Sequence, residues 1–527
     1  MEKRPNVAII GAGLAGLRCA DILIQNGAQV TIFEARDRVG GRVHQDMVGG
    51  HLVDMGPNWI HGVGTNPIVT IAEATGTALQ DFEGNQVLFD HDGKQVEGAL
   101  AAKVSEFLWA TVEEAFKYSN SHKESIPAEK SLLDFFYERV EETEFSEEEK
   151  RLCIETCRLW GAYVGDPVER QSLKFFCLEE CIDGDNYFVA STYKNILAHV
   201  SKTALQHADI RLNTPIVHID SKPIIQGTST REITLTTTTN ESHTFDEVVV
   251  TCPLGWLKRN KAAFTPELPP RLTSAIDNIS YGRLEKIYVT FPRPFWDSDS
   301  DSNTTLTQSG TQTGTNPSLT FAQFLDPTYT SHPEHILWNQ ECLSMSALPG
   351  ETAHPTLLFY TYGPCATHIV TQLTSLPQNP STYPQQSHAL LESLLSPFYA
   401  TLPNYNPDSP NCTPTAFRAT TWQADPYAGN GSYCNFQIGL EEGDRDIEVL
   451  RKGVGLDRGV WFAGEHTAPF VALGTTAGAF WSGETVAGEV CSLYGLGRAG
   501  MGCAWDDRLP SAGLGMEVGM GTGGIGK

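Results

Sequence analysis

Residues 6–42 read NVAIIGAGLAGLRCADILIQNGAQVTIFEARDRVGGR, and this stretch decides the fold. Val7 to Ile10 is apolar and β-prone. Gly11, Gly13 and Gly16 follow in G-x-G-x-x-G spacing, ahead of a helix-compatible run with Leu17, Ala20, Ile22, Leu23 and Ile24. A second apolar run, Val30 to Phe33, ends on Glu34. The whole is a βαβ dinucleotide-binding unit. Gly11 permits the tight turn, Gly13 lets the backbone approach a pyrophosphate, and Gly16 lets helix and strand pack closely. The N–H groups of the helix N-terminus, at Ala15 and its neighbours, are offered to phosphate. Glu34 stands 18 residues beyond Gly16, where an acid accepts from a ribose hydroxyl.

The chain has 527 residues, enough for two or more domains, and its 40% hydrophobic content predicts a globular protein. It has no run of 18 apolar residues, which argues against a membrane span. With the first strand beginning at Asn6, no signal peptide is expected, and the last residues match no peroxisomal or retention signal. A cytoplasmic location follows as the expectation. The net charge of −26 disfavours nucleic acid and anionic membranes as partners and favours a cationic small substrate. The 12 cysteines include no C-x-x-C. Cys153/Cys157 and Cys177/Cys181 have helical spacing and read as buried reduced thiols, so no metal site is expected.

Residues 101–160 carry helical periodicity, and the six Glu of 141–150 read as a solvated helix start. Residues 211–220, 231–250 and 281–296 read as strands by their β-branched and aromatic content. The polar run 297–318 reads as a surface loop, 372–388 and 403–414 as soft regions, and the Gly-rich tail 507–527 as disordered. Near the C-terminus, GVWFAGEHTAPFVALGTTAGAFWSGETVAGEV (459–490) is a second strand, glycine-rich loop and helix. By itself it is equally a tightly packed βα turn or a place where backbone approaches a ligand.

Taken together, GxGxxG…E…RxGGR, GPNWIHG (56–62), YGRLEKIYVTFPRPFW (281–296), the W-x-x-D-P…G-S-Y segment (422–433) and FAGEHT…GTTAGAFWSGETVA resemble the flavin-containing amine oxidases, the polyamine oxidase branch above all. The resemblance implies a mixed α/β architecture. A Rossmann-like FAD-binding domain is assembled from 1–75, 205–285 and 435–505, and a substrate-binding domain with mixed sheet and helices from 76–204 and 286–434. It implies FAD extended from the pyrophosphate turn at Gly11, Gly13, Ala15 and Gly16, past Glu34, Arg36, Gly41 and Arg42, to Gly56, Asn58 and Trp59. Val217 matches the position whose backbone contacts adenine, and Gly464 and Glu465 the ribityl and phosphate portion. Thr476 matches the flavin pyrimidine edge, and Trp422 the residue packed beside the ring. The position of the covalent attachment cysteine is Ser432, so FAD is expected to be noncovalent.

For the chemistry, the resemblance places Lys286 at flavin N5 through a water, whereas its strand alone reads as presenting a solvent-facing lysine. Tyr433 is one wall of an aromatic cage, and Thr475 occupies the second cage position, leaving the cage half open. His61 matches a histidine of the substrate tunnel, or caps a glycine-rich turn. Glu179, with Glu180, Asp183 and Asp185, holds a distal ammonium or forms a solvated acidic loop. The implied reaction is hydride transfer from the amine α-carbon to N5, hydrolysis of the imine, and reoxidation by dioxygen to hydrogen peroxide. An L-amino-acid or monoamine oxidase and a catalytically silent FAD scaffold remain as alternatives. Histone demethylation is disfavoured, since no long inserted coiled coil and no extra N-terminal domain are recognisable.

Overall fold

The computed structural model describes residues 4–82, 84–222, 231–297, 318–497 and 499–500. Strand Asn6–Ile10 lies at the centre of a five-stranded parallel sheet. Gln29–Phe33 and Asp209–Arg211 flank it on one side, and Glu247–Val250 and Val460–Phe462 on the other. A parallel sheet is covered on both faces, and the period-two alternation divides its apolar residues between two cores. Val7, Ile9, Ile32 and Val249 pack under helices Leu14–Gln25, Lys194–His207 and Thr476–Leu493. Ala8, Ile10, Phe33, Val248 and Val250 face a second core, shared with the four-stranded sheet of Ser242–Phe245, Ile233–Thr237, Ile216–Ser221 and Phe264–Thr265. Distant parts of the chain meet on the first face: a Cβ at Gly483 would press into the Ala15 carbonyl oxygen. Helix Lys194–His207 buries Ile196, Val200 and Ala204 in the same core, so the domain boundary expected between 204 and 205 falls inside a helix that covers this sheet.

A second sheet has six strands, in the order Ala416–Ala419, Leu284–Thr290, Thr356–Tyr362, Gln340–Ser344, Leu319–Phe324 and Asn85–Phe89. All pairs are antiparallel except the last. Ile287, Val289, Leu357, Phe359 and Cys342 pack beneath helices Gly363–Ser375 and Tyr383–Tyr399. Tyr288, Leu343, Leu358, Tyr360 and Tyr362 form the opposite face. Alternation assigns Lys286 to this second face, with Tyr288.

Helices Gly98–His122, Leu132–Glu141 and Glu147–Arg158 fill the predicted helical region. The glutamate run does open a helix: Ser146 and Glu149 form a capping box, and Glu147–Glu149 lie in the first turn, where the macrodipole favours carboxylates. Cys153, Cys157 and Cys177 are buried thiols. The region 372–388 differs from expectation. Helices Gly363–Ser375 and Tyr383–Tyr399 claim all of it except 376–382, because Leu373, Leu391, Leu395 and Phe398 bury against the sheet and outweigh the polar composition between them. Residues 298–317 of the expected surface loop and the tail 507–527 lie outside the described residues. Among the described residues, no helix is long and apolar enough to cross a membrane.

Candidate functional site

The phosphate turn has the geometry its glycines predict. Gly11 is at φ 108°, and a Cβ at Gly16 would collide with the Gly11 carbonyl oxygen, so the turn closes only with glycine at both positions. Gly13 is the open member: a Cβ there meets nothing within 4 Å. It is also the N-cap of helix Leu14–Gln25 and supplies no side-chain cap, so the first-turn N–H groups, including that of Ala15, are left for a ligand. Glu34 is buried, and its carboxylate accepts from the Ala12 and Arg36 N–H groups, each at 2.8 Å. The Arg36 guanidinium pairs with Asp425 at 2.7 Å, tying this turn to the W-x-x-D-P segment. Gly41, at φ 58°, passes close to Gly13. Val217 lies at a register shift between Ile216 and His218, which takes its backbone out of the ladder while its side chain is exposed. An open glycine, orphan helix N–H groups, a buried acid and a freed backbone edge fit an extended dinucleotide.

The other end of the groove gathers four separated segments. Arg42 donates to Glu465 at 3.0 Å, to the Tyr281 hydroxyl at 3.1 Å and to the Ser432 carbonyl oxygen. Burial by itself would raise the Glu465 pKa, but Arg42 and then His466 hold it below the usual carboxylate value. The Gly464 N–H donates to Ser482 at 2.8 Å, anchoring the second glycine block to its helix. Lys286 is buried, not solvent-facing. Its Nζ donates to the carbonyl oxygens of Gly56 and Asp54 and to Asn58 Oδ1. Burial lowers the Lys286 pKa and raises that of Asp54, and their mutual attraction opposes both shifts. Asn58 Oδ1 also accepts from the Tyr360 hydroxyl at 3.0 Å, and Trp59 Nε1 donates to that same hydroxyl at 3.2 Å. The Trp59 carbonyl oxygen accepts from Tyr193, whose hydroxyl is 3.4 Å from the Thr476 hydroxyl. One hydrogen-bonded chain thus joins G-P-N-W, the lysine strand and the start of helix Thr476–Leu493.

Trp422 is held on two sides. Its Nε1 donates to the Met55 carbonyl oxygen at 3.2 Å, and its backbone N–H donates to Glu285 at 3.0 Å. Glu285 also accepts from the Gln423 N–H at 2.8 Å and the Thr420 hydroxyl. The Tyr433 hydroxyl donates to the Tyr163 carbonyl oxygen at 2.6 Å, and its ring lies 3.3 Å from where a Cβ of Gly474 would stand. Thr475 is the N-cap of helix Thr476–Leu493, accepting from the Gly478 N–H at 3.0 Å, which gives a small polar residue a structural reason at the second cage position. The Ser432 hydroxyl accepts from the Leu284 N–H at 3.2 Å and so is engaged with the lysine strand.

The acidic cluster divides. Asp183 and Asp185 are exposed, but Glu179 accepts from the Phe436 N–H at 3.1 Å, and burial pushes its pKa up to about 8. Glu180 is raised to about 7 by burial and then by Asp183. His61 is half-buried beside Asn186, with its pKa lowered by burial. An open cleft of about 620 Å³ is lined by Arg170, Lys258, Arg259, Tyr281 and Arg283 and contains none of the candidate site residues. Asp54, Tyr193, Glu285 and Tyr360 escape sequence reading. Only Glu285 leaves a signal, as a second charge beside Lys286 in an otherwise apolar strand.

Comparison with known proteins gives this geometry its setting. Residues 14–491 match the family model described as flavin-containing amine oxidoreductase. Probable polyamine oxidase 4 of Arabidopsis thaliana is 26% identical over 95% of this chain and 89% of its own length. Polyamine oxidase 4 of Oryza sativa subsp. japonica is 32% identical over 55% of this chain and 60% of its own. Lysine-specific histone demethylase 1B of Mus musculus is 27% identical over 56% of this chain and 35% of its own. Among solved structures, a double mutant of putrescine oxidase redesigned in its cofactor binding superposes with a TM-score of 0.65 at 17% identity, covering 93% of this chain and 99% of that one, and so shares the fold. The chain belongs to the flavin-containing amine oxidoreductase family, and its cofactor is FAD.

Proposed function

We propose that this protein oxidises amines, polyamines in preference to others, using noncovalent FAD and dioxygen. Bound FAD supplies the two-electron oxidation of the carbon–nitrogen bond and returns the electrons to dioxygen as hydrogen peroxide. The observation that carries this reading is the buried Lys286 ammonium, held on Gly56 and Asn58 within one hydrogen-bonded chain that ends at Thr476. The polyamine oxidases among the relatives support the choice of substrate class.

In this reading the helix N-terminus and Glu34 hold the adenosine–pyrophosphate half, and the Arg42–Glu465 pair fixes the middle of the cofactor. Lys286 presents a preorganised cation where negative charge develops. Tyr433 walls one side of the substrate, and Thr475 leaves the other side open to a bulky secondary amine. Glu179 and His61 line the approach, where burial favours neutral forms and a deprotonated amine. Ser432 in place of a thiol leaves FAD unattached. The test is anaerobic mixing of the yellow protein with spermine, spermidine, an N-acetylated polyamine, a monoamine and a neutral amino acid. Bleaching by the polyamines is expected, whereas bleaching by the amino acid alone would reject the assignment.

A further inference from the structure

We infer that the cleft lined by Arg170, Lys258, Arg259 and Arg283 binds a polyphosphate chain, carried by an inorganic polyphosphate or by a nucleotide. The site is separate from the amine chemistry and does not depend on it. The chain has 63 acidic against 37 basic residues, so its overall field repels anions. Four cationic side chains nevertheless meet at one opening of about 620 Å³, a size usual for small-molecule sites. They come from three separated segments. Lys258 and Arg259 end helix Leu254–Arg259, Arg283 immediately precedes strand Leu284–Thr290, and Arg170 lies beyond the short helix Gly161–Val164.

One of the four is neutralised. Arg283 pairs with the buried Asp166, whose second oxygen accepts from Gln437 at 3.1 Å and Asn435 at 3.2 Å. Among the described residues, the other three form no ion pair. Arg170 donates twice to Gln437 Oε1, at 2.6 and 3.1 Å, and Lys258 donates to the Asp277 carbonyl oxygen at 2.8 Å. Arg259 donates to the carbonyl oxygens of Gly429 at 2.7 Å and Gly255 at 2.9 Å. These uncharged acceptors fix where the cations stand and leave their charge uncancelled. Burial lowers the Lys258 pKa to about 8; the Asp277 charge opposes this, while Lys261 and Arg259 add to it. A bound anion would relieve that crowding of like charges. The lining also holds an unmet donor. Gln423 Oε1 accepts from the Thr367 hydroxyl at 2.7 Å, but Gln423 Nε2 is buried with no hydrogen-bond partner, and both residues line the cleft. A buried donor left unpaired is costly, and a phosphate oxygen would satisfy it. Successive phosphoryl groups supply one charge for each free cation, and their oxygens match the planar fork of arginine. A single carboxylate would leave two of the three unmatched.

The test is calorimetric titration of the FAD-saturated holoenzyme, whose own pyrophosphate turn is occupied, with tripolyphosphate, ATP, adenosine and citrate. Tripolyphosphate should bind with a Kd below about 100 μM at low salt, weakening as salt is raised. Adenosine should not bind, and citrate should bind at least about tenfold more weakly. ATP within about threefold of tripolyphosphate marks the inorganic chain as sufficient, and ATP tighter by about tenfold marks a nucleotide. Arg170→Gln and Arg259→Gln should each cost about tenfold or more in tripolyphosphate affinity, with FAD content and melting temperature unchanged. Arg170→Lys, which keeps the charge, should recover part of the loss. Arg445→Gln, on the exposed face of helix Gly443–Lys452, should bind as the wild type does. No binding of tripolyphosphate, citrate binding as tightly, or unchanged affinity in both cleft variants overturns the assignment. An equal loss in Arg445→Gln also overturns it, since that marks diffuse attraction.

Discussion

Replacing Gly13 by alanine separates cofactor binding from folding. Gly13 sits at φ −78° and ψ −179°, a conformation open to any residue, and no atom lies within 4 Å of an added Cβ. The protein without cofactor should therefore accept the methyl and gain about 0.4–1 kcal/mol from the reduced freedom of its unfolded chain. The same methyl stands over the first helical turn, where a phosphate must approach the backbone N–H groups. FAD affinity should fall at least about tenfold, or about 1.4 kcal/mol. Thermal melting of the cofactor-free protein reads the first effect, and quenching of flavin fluorescence on titration reads the second. Gly483→Ala provides the contrast: its Cβ would press into the Ala15 carbonyl oxygen, so it should destabilise the cofactor-free protein by about 1–3 kcal/mol as well as weakening FAD. Wild-type FAD affinity in Gly13→Ala would refute the placement of the pyrophosphate at this turn.

Lys286→Met should keep FAD bound but slow flavin reduction or reoxidation about a hundredfold in stopped-flow absorbance, and unchanged rates would remove the proposed role of the lysine. Glu285→Gln retains the shape but not the charge that receives the Trp422 and Gln423 N–H groups. It should cost about 1.5–3 kcal/mol in urea unfolding and change Trp422 fluorescence, and an unchanged midpoint would show that those bonds contribute nothing net. Glu179 titrates at about 8 in the folded protein against an ordinary 4.5, so between those values the folded form holds the extra proton and stability falls as pH rises. Glu179→Gln should flatten that slope, of order 1 kcal/mol per pH unit, in melting curves recorded from about pH 5 to 8. A slope identical to wild type would assign the titration to another group.

What could be read from the chain was whatever its own local sequence determines. The glycine turn, its helix and Glu34 lie within 29 residues (from Asn6 to Glu34), and their roles depend on spacing alone. The glutamate run at 147–149 revealed a helix start through capping and dipole chemistry. The stretch 372–388 was misread because its Gln, Ser, Thr and Pro content resembles a linker, while the apolar residues that make it helical are widely spaced and matter only against a sheet formed elsewhere. Tyr360 could not be found for a related reason. Its relation to Lys286 is one of strand register, set by the antiparallel pairing of segments far apart in the chain. Val217 was identifiable only by resemblance, since the register shift that frees its backbone leaves no compositional trace.

The adjacent charges Glu285 and Lys286 show why this strand resists explanation as core alone. Both are buried in a seven-residue strand whose other buried members are Ile287, Tyr288, Val289 and Thr290. Placing two ionisable groups there opposes folding, and replacing such groups by well-packed apolar residues is often neutral or stabilising. Each is instead fully engaged by polar partners: Glu285 by Thr420, Trp422 and Gln423, and Lys286 by Gly56, Asp54 and Asn58. The period of two sends them to opposite sides, so one rigid strand positions the Trp422 loop through Glu285 and the cation through Lys286. An apolar pair at 285 and 286 would relieve the desolvation cost and release both the tryptophan loop and the G-P-N-W turn from the strand. The stability gained by that exchange would be lost as disorder in the two segments that the proposed function sets against the flavin.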